Sequence, residues 1–336
     1  MNIVFVGGGS GGHFFPCIEF IKYCKLQDDN CFYIGALNKY EYKKKELVPC
    51  DTLFLEFHGF NNNLKSAIKL FKSYHNNKKE IKDYLLKNKI ELAVLFGNFE
   101  SLVVGLVCKK LKIPFYIHEQ NSKLGRSNKL LINYAQKGFS FYKIKHPKII
   151  RVGNPRQKKQ FHLRKNNKIL VILGSLGASK LIDTLIEILN NTKYNVTFVL
   201  GENVNKYKKC NHKIIKYFDH QIDSFNNYDF IITRGGATTL AEIVSYAIPF
   251  LVIPSPNVIN NHQEENAINL IREASGEYIS EKEVTKEKII TIIDKYLSDN
   301  HLYLSTQLKL YHFALNNPCE RMYKIINEEY KSIFKK

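Results

Sequence analysis

The sequence predicts an α/β protein of two domains, each built on a parallel sheet, and three observations predict it. Short apolar runs rich in β-branched residues alternate with longer amphipathic stretches, the pattern of strands covered on both faces by crossover helices. Two of the runs end in glycine turns, 7–13 and 174–178, and each turn leads directly into a helical pattern. Between the halves the apolar rhythm stops over a polar, basic segment, 156–167, which reads as a linker. Two Rossmann-like halves facing a cleft are the expected architecture.

The elements follow in order. Ile3 to Val6 is the first strand, followed by Gly7-Gly8-Gly9-Ser10-Gly11-Gly12-His13 and a helical pattern from Phe15 to Tyr23. Buried strands are expected at Cys31 to Ile34, Leu92 to Phe96 and Pro114 to Ile117, with helices at Leu64 to Tyr74, Lys78 to Lys87 and Leu102 to Leu111. These complete a first domain over 1–155. The second domain, 168–316, opens with a strand at Ile169 to Leu173, its glycine turn, and a helix from Ser179 to Leu189. Strands at Val196 to Leu200, Ile214 to Tyr217, Phe230 to Thr233 and Phe250 to Ile253 follow, with helices near Thr238 to Tyr246 and Asn261 to Glu273. The last segment, 317–336, reads as an amphipathic helix that packs back on the first domain.

Composition narrows the function. The 336 residues are 44% hydrophobic, enough for two ordinary cores, so disordered and fibrous classes are out. No apolar run approaches the roughly 18 residues of a spanning helix and the first residues lack a basic leader, so a cytosolic or peripheral protein is expected. Seven cysteines occur without a CxxC pair, and Cys17, Cys24 and Cys31 recur at a spacing that fits no metal site. Reduced structural thiols are expected. The net charge of +19 invites nucleic acid or an anionic membrane. Only seven of the 50 basic residues are arginine, while Lys, Asn, Ile, Phe and Tyr abound as the codon bias of an AT-rich genome would produce. An aromatic RNP stripe, paired zinc ligands and an Arg-rich arm are absent, so nucleic acid is not an expected partner.

The glycine loops carry the chemistry. Gly7, Gly9 and Gly12 satisfy GxGxxG, but Asp28 and Asp29 precede the second strand, so the acid that binds the ribose of a dinucleotide is misplaced. A helix-start anion site and a tight turn without a ligand both fit this loop. In the second half, Thr233-Arg234-Gly235-Gly236-Ala237-Thr238-Thr239-Leu240-Ala241-Glu242 follows a strand, so the amides and hydroxyls of 237–239 can grip a diphosphate. Glu242 either accepts both hydroxyls of a ribose or only favours the helix dipole. Pro254-Ser255-Pro256 closes the next strand, and Asn260 to Asn266 then gathers amides and an imidazole suited to sugar hydroxyls. No Asp-x-Asp occurs, so no metal seat on a diphosphate and no cofactor are expected, and amide dipoles would stabilise the leaving group.

With these residues together, the sequence resembles the MurG family, the peptidoglycan N-acetylglucosaminyltransferases of bacteria, over nearly the whole chain. GGGSGGHFFP at 7–16 is similar to the family's GGTGGHxxP loop, HEQN at 118–121 is identical to a family motif, and GNP at 153–155 is the usual lead into the linker. GSLGA at 174–178, RGGATTLAE at 234–242 and IPSPNVINNHQEENA at 253–267 complete six motifs in the family's order. The resemblance implies a GT-B fold and transfer of GlcNAc from UDP-GlcNAc to the 4-hydroxyl of a polyprenyl-diphosphate-linked muramyl-peptide, lipid I, to give lipid II. It implies donor contacts at Ser10, Gly11, Gly12, Asn121, Ser175 and the backbone of Phe218. It extends them to Arg234, Ala237, Thr238, Thr239, Leu240, Ala241, Glu242 and Gln263, with His262 beside Gln263 on the GlcNAc hydroxyls. Arg156 is the expected donor-side arginine near the linker. His13, Glu119 and Asn121 fall on the acceptor side, with His13 the first candidate base and Glu119 the alternative.

One stretch departs from the family pattern. Gly97-Asn98-Phe99-Glu100-Ser101 stands where relatives have a GGYVS-type loop, losing a glycine and a tyrosine hydroxyl beside the expected acceptor diphosphate. Another GT-B lipid glycosyltransferase, one acting on diacylglycerol for example, would share the donor site and differ at this loop. A non-catalytic sugar-nucleotide-binding protein would keep both folds and lose turnover. A nucleotide-cofactor oxidoreductase would share only the first loop.

A lipid-linked acceptor also implies docking on the cytoplasmic face of the membrane. Leu64, Ile68 and Phe71 share one helical face with Ala67 and Tyr74, flanked by Lys65, Lys69 and Lys72. Anionic headgroups would attract such lysines at roughly 1 kcal/mol each. An ordinary helix with its apolar face in the core has the same pattern.

Overall fold

A computed structural model describes residues 1–57, 64–156, 160–161, 167–174, 178–190, 192–207, 210–218, 225–256 and 261–334, with the side chains of 64–71, 73, 202, 203 and 334 outside the description. The chain divides into unit 1, Met1–Gln157 with Asn317–Lys336, and unit 2, Lys158–Asn316.

Unit 1 runs β1 (Asn2–Val6), α1 (Gly11–Lys25), β2 (Asn30–Ala36), α2 (Tyr40–Lys43), β3 (Asp51–Leu55), α3 (Leu64–Lys87) and β4 (Leu92–Leu95). It continues through α4 (Asn98–Leu111), β5 (Phe115–Glu119), α5 (Arg126–Leu131), β6 (Gly138–Ser140) and β7 (Ile149–Arg151). The strands form one sheet in the order β3-β2-β1-β4-β5-β6-β7, with every pairing parallel. The order reverses between β1 and β4, and ligands of such sheets bind beyond the carboxyl ends of the strands at that reversal. The alternation of β1 serves two cores. Ile3 and Phe5 join Phe14, Phe20 and Phe96 on one face, while Val4 and Val6 join Ile81, Leu85 and Val103 on the other.

Unit 2 runs β8 (Lys168–Ile172), α6 (Ser179–Leu189), β9 (Asn195–Val199), β10 (Lys213–Ile215), β11 (Phe230–Thr233), α7 (Ala237–Ser245) and β12 (Phe250–Val252). Then come α8 (His262–Glu273), β13 (Glu277–Tyr278), α9 (Lys286–Ser298) and α10 (Asn300–Phe313). Its sheet has the order β10-β9-β8-β11-β12-β13, again parallel throughout, with the reversal between β8 and β11. The last helix, α11 (Pro318–Phe334), belongs to unit 1, where Met322 and Ile326 are buried in the core beside α1. Tyr23 and Tyr323 meet edge to face, and the Tyr330 hydroxyl donates to Glu91.

The structure differs from the sequence reading in a few elements. The two helical stretches at 64–74 and 78–87 are the single helix α3, because the polar break between them is anchored: Asn77 is buried and its Nδ2 donates to the Glu56 carbonyl at 2.7 Å. β3, β6, β7 and β13 are additional strands, short or half-exposed at the sheet margins. The first helix begins at Gly11 rather than Phe15, so Gly11 and Gly12 form its first turn. All seven cysteines are free thiols, and burial pushes Cys108 up to about 12. Among the described residues no helix is long and apolar enough to cross a membrane, and no group of three or more His, Cys, Asp or Glu could hold a metal ion.

Candidate active site

In unit 1 the two loops at the β1/β4 reversal touch. Gly7 approaches α1 so closely that a Cβ there would lie 2.6 Å from the Cβ of Cys17, and the Tyr33 hydroxyl donates to its carbonyl at 2.8 Å. Gly9 turns the chain with φ +77°, a conformation that favours glycine. Ser10 then caps α1 with its carbonyl, which accepts from the amides of His13 and Phe14 at 3.2 and 3.1 Å. Ser10 Oγ and His13 Nδ1 lie 3.1 Å apart. The imidazole rests on Gly97, where φ is +95° and a Cβ would come within 3.1 Å of the ring. Asn98, itself at φ +72°, donates from Nδ2 to the Gly8 carbonyl at 3.2 Å. Gly97, which opens the departing stretch 97–101, is therefore the wall against which His13 packs, and Asn98 to Ser101 form the first turn of α4.

The HEQN stretch closes β5 and is locked by hydrogen bonds. Glu119 is 2% exposed, and its carboxylate accepts from four N–H groups: Asn121 N and Nδ2 at 3.0 Å each, Gly125 N at 2.8 Å and Asn128 Nδ2 at 2.8 Å. This corrects the expectation of Glu119 as alternative base, because the oxygens that would take a proton are already occupied. Glu119 instead fixes the turn that carries Asn121. His118 is fully buried, stacks on Phe96 at 5.2 Å and lies 3.1 Å by Nε2 from the Gly153 carbonyl. The HEQN and GNP motifs thus hold each other. Burial lowers His118 to about 4, so its imidazole is neutral near pH 7. The guanidinium of Arg156 lies over the Phe15 ring at 4.2 Å.

In unit 2 the starts of α7 and α8 are joined. A Cβ on Gly235 would lie 1.9 Å from the carbonyl oxygen of Gln263, so only glycine lets the two backbones meet, and Asn266 Nδ2 donates to the Gly235 carbonyl at 3.0 Å. Gly236 is the N-cap of α7, whose first turn contains Ala237, Thr238 and Thr239 and no acid. The N–H groups of such a turn lack acceptors within the helix and favour an anion. Glu242 stands in the second turn, buried at 7% exposure, too far in to act merely as a first-turn dipole partner. Leu240 and Ala241 are buried, so their side chains serve the core and only their backbone can face a ligand.

Gln263 accepts the Ser255 amide on Oε1 at 2.8 Å, which fixes its carboxamide and leaves Nε2 to donate. His262 opens α8, and its buried Nδ1 has no hydrogen-bond partner. Phe218 stacks on Phe225 at 4.7 Å. Arg234 is buried, and its Nη1 donates to the Ile253 carbonyl at 2.9 Å and to Glu281 at 2.6 Å, so it braces the strand ends. Ser175 lies outside the described residues.

Two site residues were not anticipated from the sequence: Asn128 and Glu41 are buried polar groups that touch the motif loops, and neither belongs to a motif, while Glu100, within the departing 97–101 stretch, is buried as well. Only their poor fit to otherwise exposed or apolar helix positions could have signalled them.

Comparison with known proteins agrees with this geometry. The N-terminal domain model of glycosyltransferase family 28 matches residues 3–140, and the C-terminal domain model of the same family matches 168–314. A UDP-N-acetylglucosamine–N-acetylmuramyl-(pentapeptide) pyrophosphoryl-undecaprenol N-acetylglucosamine transferase of Bacillus pumilus is 32% identical, covering 98% of this chain and 99% of its own. The transferase of the same name from Bacillus licheniformis is 30% identical over 98% of each chain. Among solved structures, MurG of Acinetobacter baumannii superposes with a TM-score of 0.82 at 20% identity, covering 97% of this chain and 99% of that one. A calicheamicin glycosyltransferase reaches 0.72 at 10% identity, over 99% and 98% of the two chains, and shares the GT-B fold of two parallel-sheet α/β domains. Motifs, paired Rossmann-like units and full-length likeness converge: the chain belongs to glycosyltransferase family 28 and, within it, to the MurG family.

Proposed function

We infer that this chain is an inverting glycosyltransferase that moves GlcNAc from UDP-GlcNAc to the 4-hydroxyl of a polyprenyl-diphosphate-linked muramyl-peptide. The observation that carries the reading is likeness over 98% of the chain to relatives named for that reaction. The donor belongs to unit 2. Its diphosphate sits on the first turn of α7, at Ala237, Thr238 and Thr239, where aligned peptide dipoles favour negative charge. Glu242 accepts the ribose hydroxyls, Gln263 Nε2 and His262 hold the GlcNAc hydroxyls, and the backbone at Phe218 adds a donor contact, as the family resemblance also implies for Ser175.

The acceptor lies on the side of His13, Asn121 and the start of α4 in unit 1, while Ser10, Gly11 and Gly12, with Asn121, are the unit 1 contacts to the donor that the family resemblance implies. His13 Nδ1 lies 3.1 Å from Ser10 Oγ; in the tautomer that donates from Nδ1 the lone pair is on Nε2, which takes the proton of the acceptor hydroxyl. The hydroxyl oxygen bonds to the anomeric carbon as the bond to the UDP oxygen breaks, and the departing electron pair rests on the diphosphate. Attack from the side opposite UDP converts an α-linked donor to a β-linked product. No metal enters this scheme, because the sequence lacks Asp-x-Asp and the α7 amides serve the leaving group.

The lipid tail of the acceptor requires peripheral docking on the cytoplasmic face of an anionic membrane, for which the first half of α3 is the proposed surface. Lys72 is exposed there, while Tyr74 packs against the unit 1 core. The side chains of Leu64, Lys65, Ile68, Lys69 and Phe71 lie outside the described residues. Incubation with radiolabelled UDP-GlcNAc and a panel of lipid acceptors tests the reading: label on the muramyl-peptide lipid supports it, and label on diacylglycerol instead would replace it.

A further inference from the structure

We propose that Glu41 is a positioning residue for the first glycine loop, its carboxylate occupying the amide of Gly9 so that the loop presents Ser10 and His13 before any ligand arrives. The proposal rests on the reading of that loop as the part of the proposed site that carries His13.

Glu41 lies on the four-residue helix α2 amid exposed lysines, yet it is 0% exposed. Its two oxygens are used in opposite directions. Oε2 accepts from Gly9 N at 2.6 Å, and Oε1 accepts from Ala36 N, at the end of β2, at 3.1 Å. The first distance is at the short end even for charge-assisted bonds, and two N–H donors on one carboxyl group suit the ionised, acceptor-only form. Shape agrees with charge. A Cβ on Gly8 would come 2.3 Å from the Glu41 carboxyl, so the group lies flat on a backbone that only glycine leaves open.

The loop is held from its other side as well. Asn98 donates to the Gly8 carbonyl, and a Cβ on Gly9 would come 1.8 Å from its Nδ2. The segment between Val6 and Ser10 is thus clamped by an anion on its amide side and an amide donor on its carbonyl side. A glycine loop of this form ordinarily offers such an amide to a ligand phosphate. Here an internal carboxylate has taken the Gly9 amide, so the loop contributes by geometry: it fixes the Ser10 carbonyl that starts α1 and, through it, the place of His13.

Glu41→Gln keeps the shape and replaces one oxygen with an NH₂ group, which must then face an N–H donor. In the full chain it lowers kcat about tenfold or more, while the calorimetric affinity for UDP, assigned to α7 and Glu242, stays within about twofold of the parent. A spectrum of ¹⁵N-glycine-labelled protein gives a readout independent of turnover: the Gly9 amide proton, far downfield in the parent, moves upfield in the variant. If Glu41→Gln does not fold, Gly8→Ala displaces the carboxylate without changing its charge and carries the same expectations. Parent-like kcat, or an unmoved Gly9 amide, overturns the proposal. Absence of GlcNAc transfer by the parent itself would count against the proposed function, and the clamp would then stand or fall on the Gly9 amide alone.

Discussion

Replacing Glu100 with glutamine should reshape the pH dependence of unit 1 stability. Glu100 lies in the first turn of α4, 2% exposed, with Oε2 lacking a hydrogen-bond partner. Burial, with a further push from the charge of Glu41, raises its carboxyl from 4.5 to about 7. Between those values the folded protein binds a proton that the unfolded chain has released, so stability falls as pH rises from about 4.5 to 7 and is level above. At about 1.4 kcal/mol per pH unit the fall amounts to about 3 kcal/mol. His118 acts in the opposite sense. Its imidazole is lowered from 6.5 to about 4, so the unfolded chain binds the extra proton and stability rises by a similar ~3 kcal/mol as pH goes from about 4 to 6.5. The two contributions nearly cancel in the parent, and Glu100→Gln removes only one of them. Hydrogen exchange of the β1 amides, which report unit 1 alone, should give a parent-minus-variant stability difference that falls by about 3 kcal/mol between pH 4.5 and 7.5. A difference that stays level across that range would refute the reasoning, because Glu100 would then titrate as an ordinary surface acid.

The remaining predictions concern the proposed reaction. Glu242→Ala should weaken UDP binding by about ten- to a hundredfold, the loss of hydrogen bonds to a charged group; unchanged affinity in a calorimetric titration would remove Glu242 from the ribose. EDTA should leave turnover in detergent intact, and loss of activity restored by Mg²⁺ would show that the α7 amides do not suffice. His13→Ala should lower kcat by about 10² to 10⁴ while UDP binding survives, whereas a loss confined to acceptor KM would make His13 a positioning group. Phe71→Ser combined with Lys69→Glu and Lys72→Glu should reduce sedimentation with anionic vesicles and activity on full-length lipid acceptor, yet spare turnover of a short-chain soluble one. Vesicle binding equal to the parent's would move the docking surface elsewhere.

The parts of the fold legible in the sequence were those with one dominant physical cause. β1, β4, β8 and β11 are apolar but for Asn2, Lys168 and Thr233 at their ends because both their faces are covered, and the turns after them need glycine for close approach or a left-handed backbone, so strands, loops and motif positions could be read together. Marginal strands such as β6 and β13 have two or three residues and are held by their neighbours, leaving no periodicity to read. Polar side chains whose partners are distant in sequence were the hardest. Arg234 looks like a ligand contact in its motif, and its partner Glu281 lies 47 residues away. Glu119 suits a base by residue type, and only the turn that brings Gly125 and Asn128 onto its carboxylate shows it to be committed elsewhere. Glu41 falls in a lysine-rich segment that resembles solvated helix and Glu100 in the 97–101 stretch read as a loop, and their burial becomes visible only when β1, β2 and α4 converge.

The most direct test of the account is the linkage formed from UDP-[¹⁴C]GlcNAc and a short-chain polyprenyl-diphospho-muramyl-pentapeptide, isolated and analysed by NMR. The account predicts a single labelled lipid carrying GlcNAc in β-linkage on the 4-hydroxyl of the muramyl residue. Retention of the α configuration, or no label transferred where the Bacillus licheniformis relative transfers it, would contradict the account.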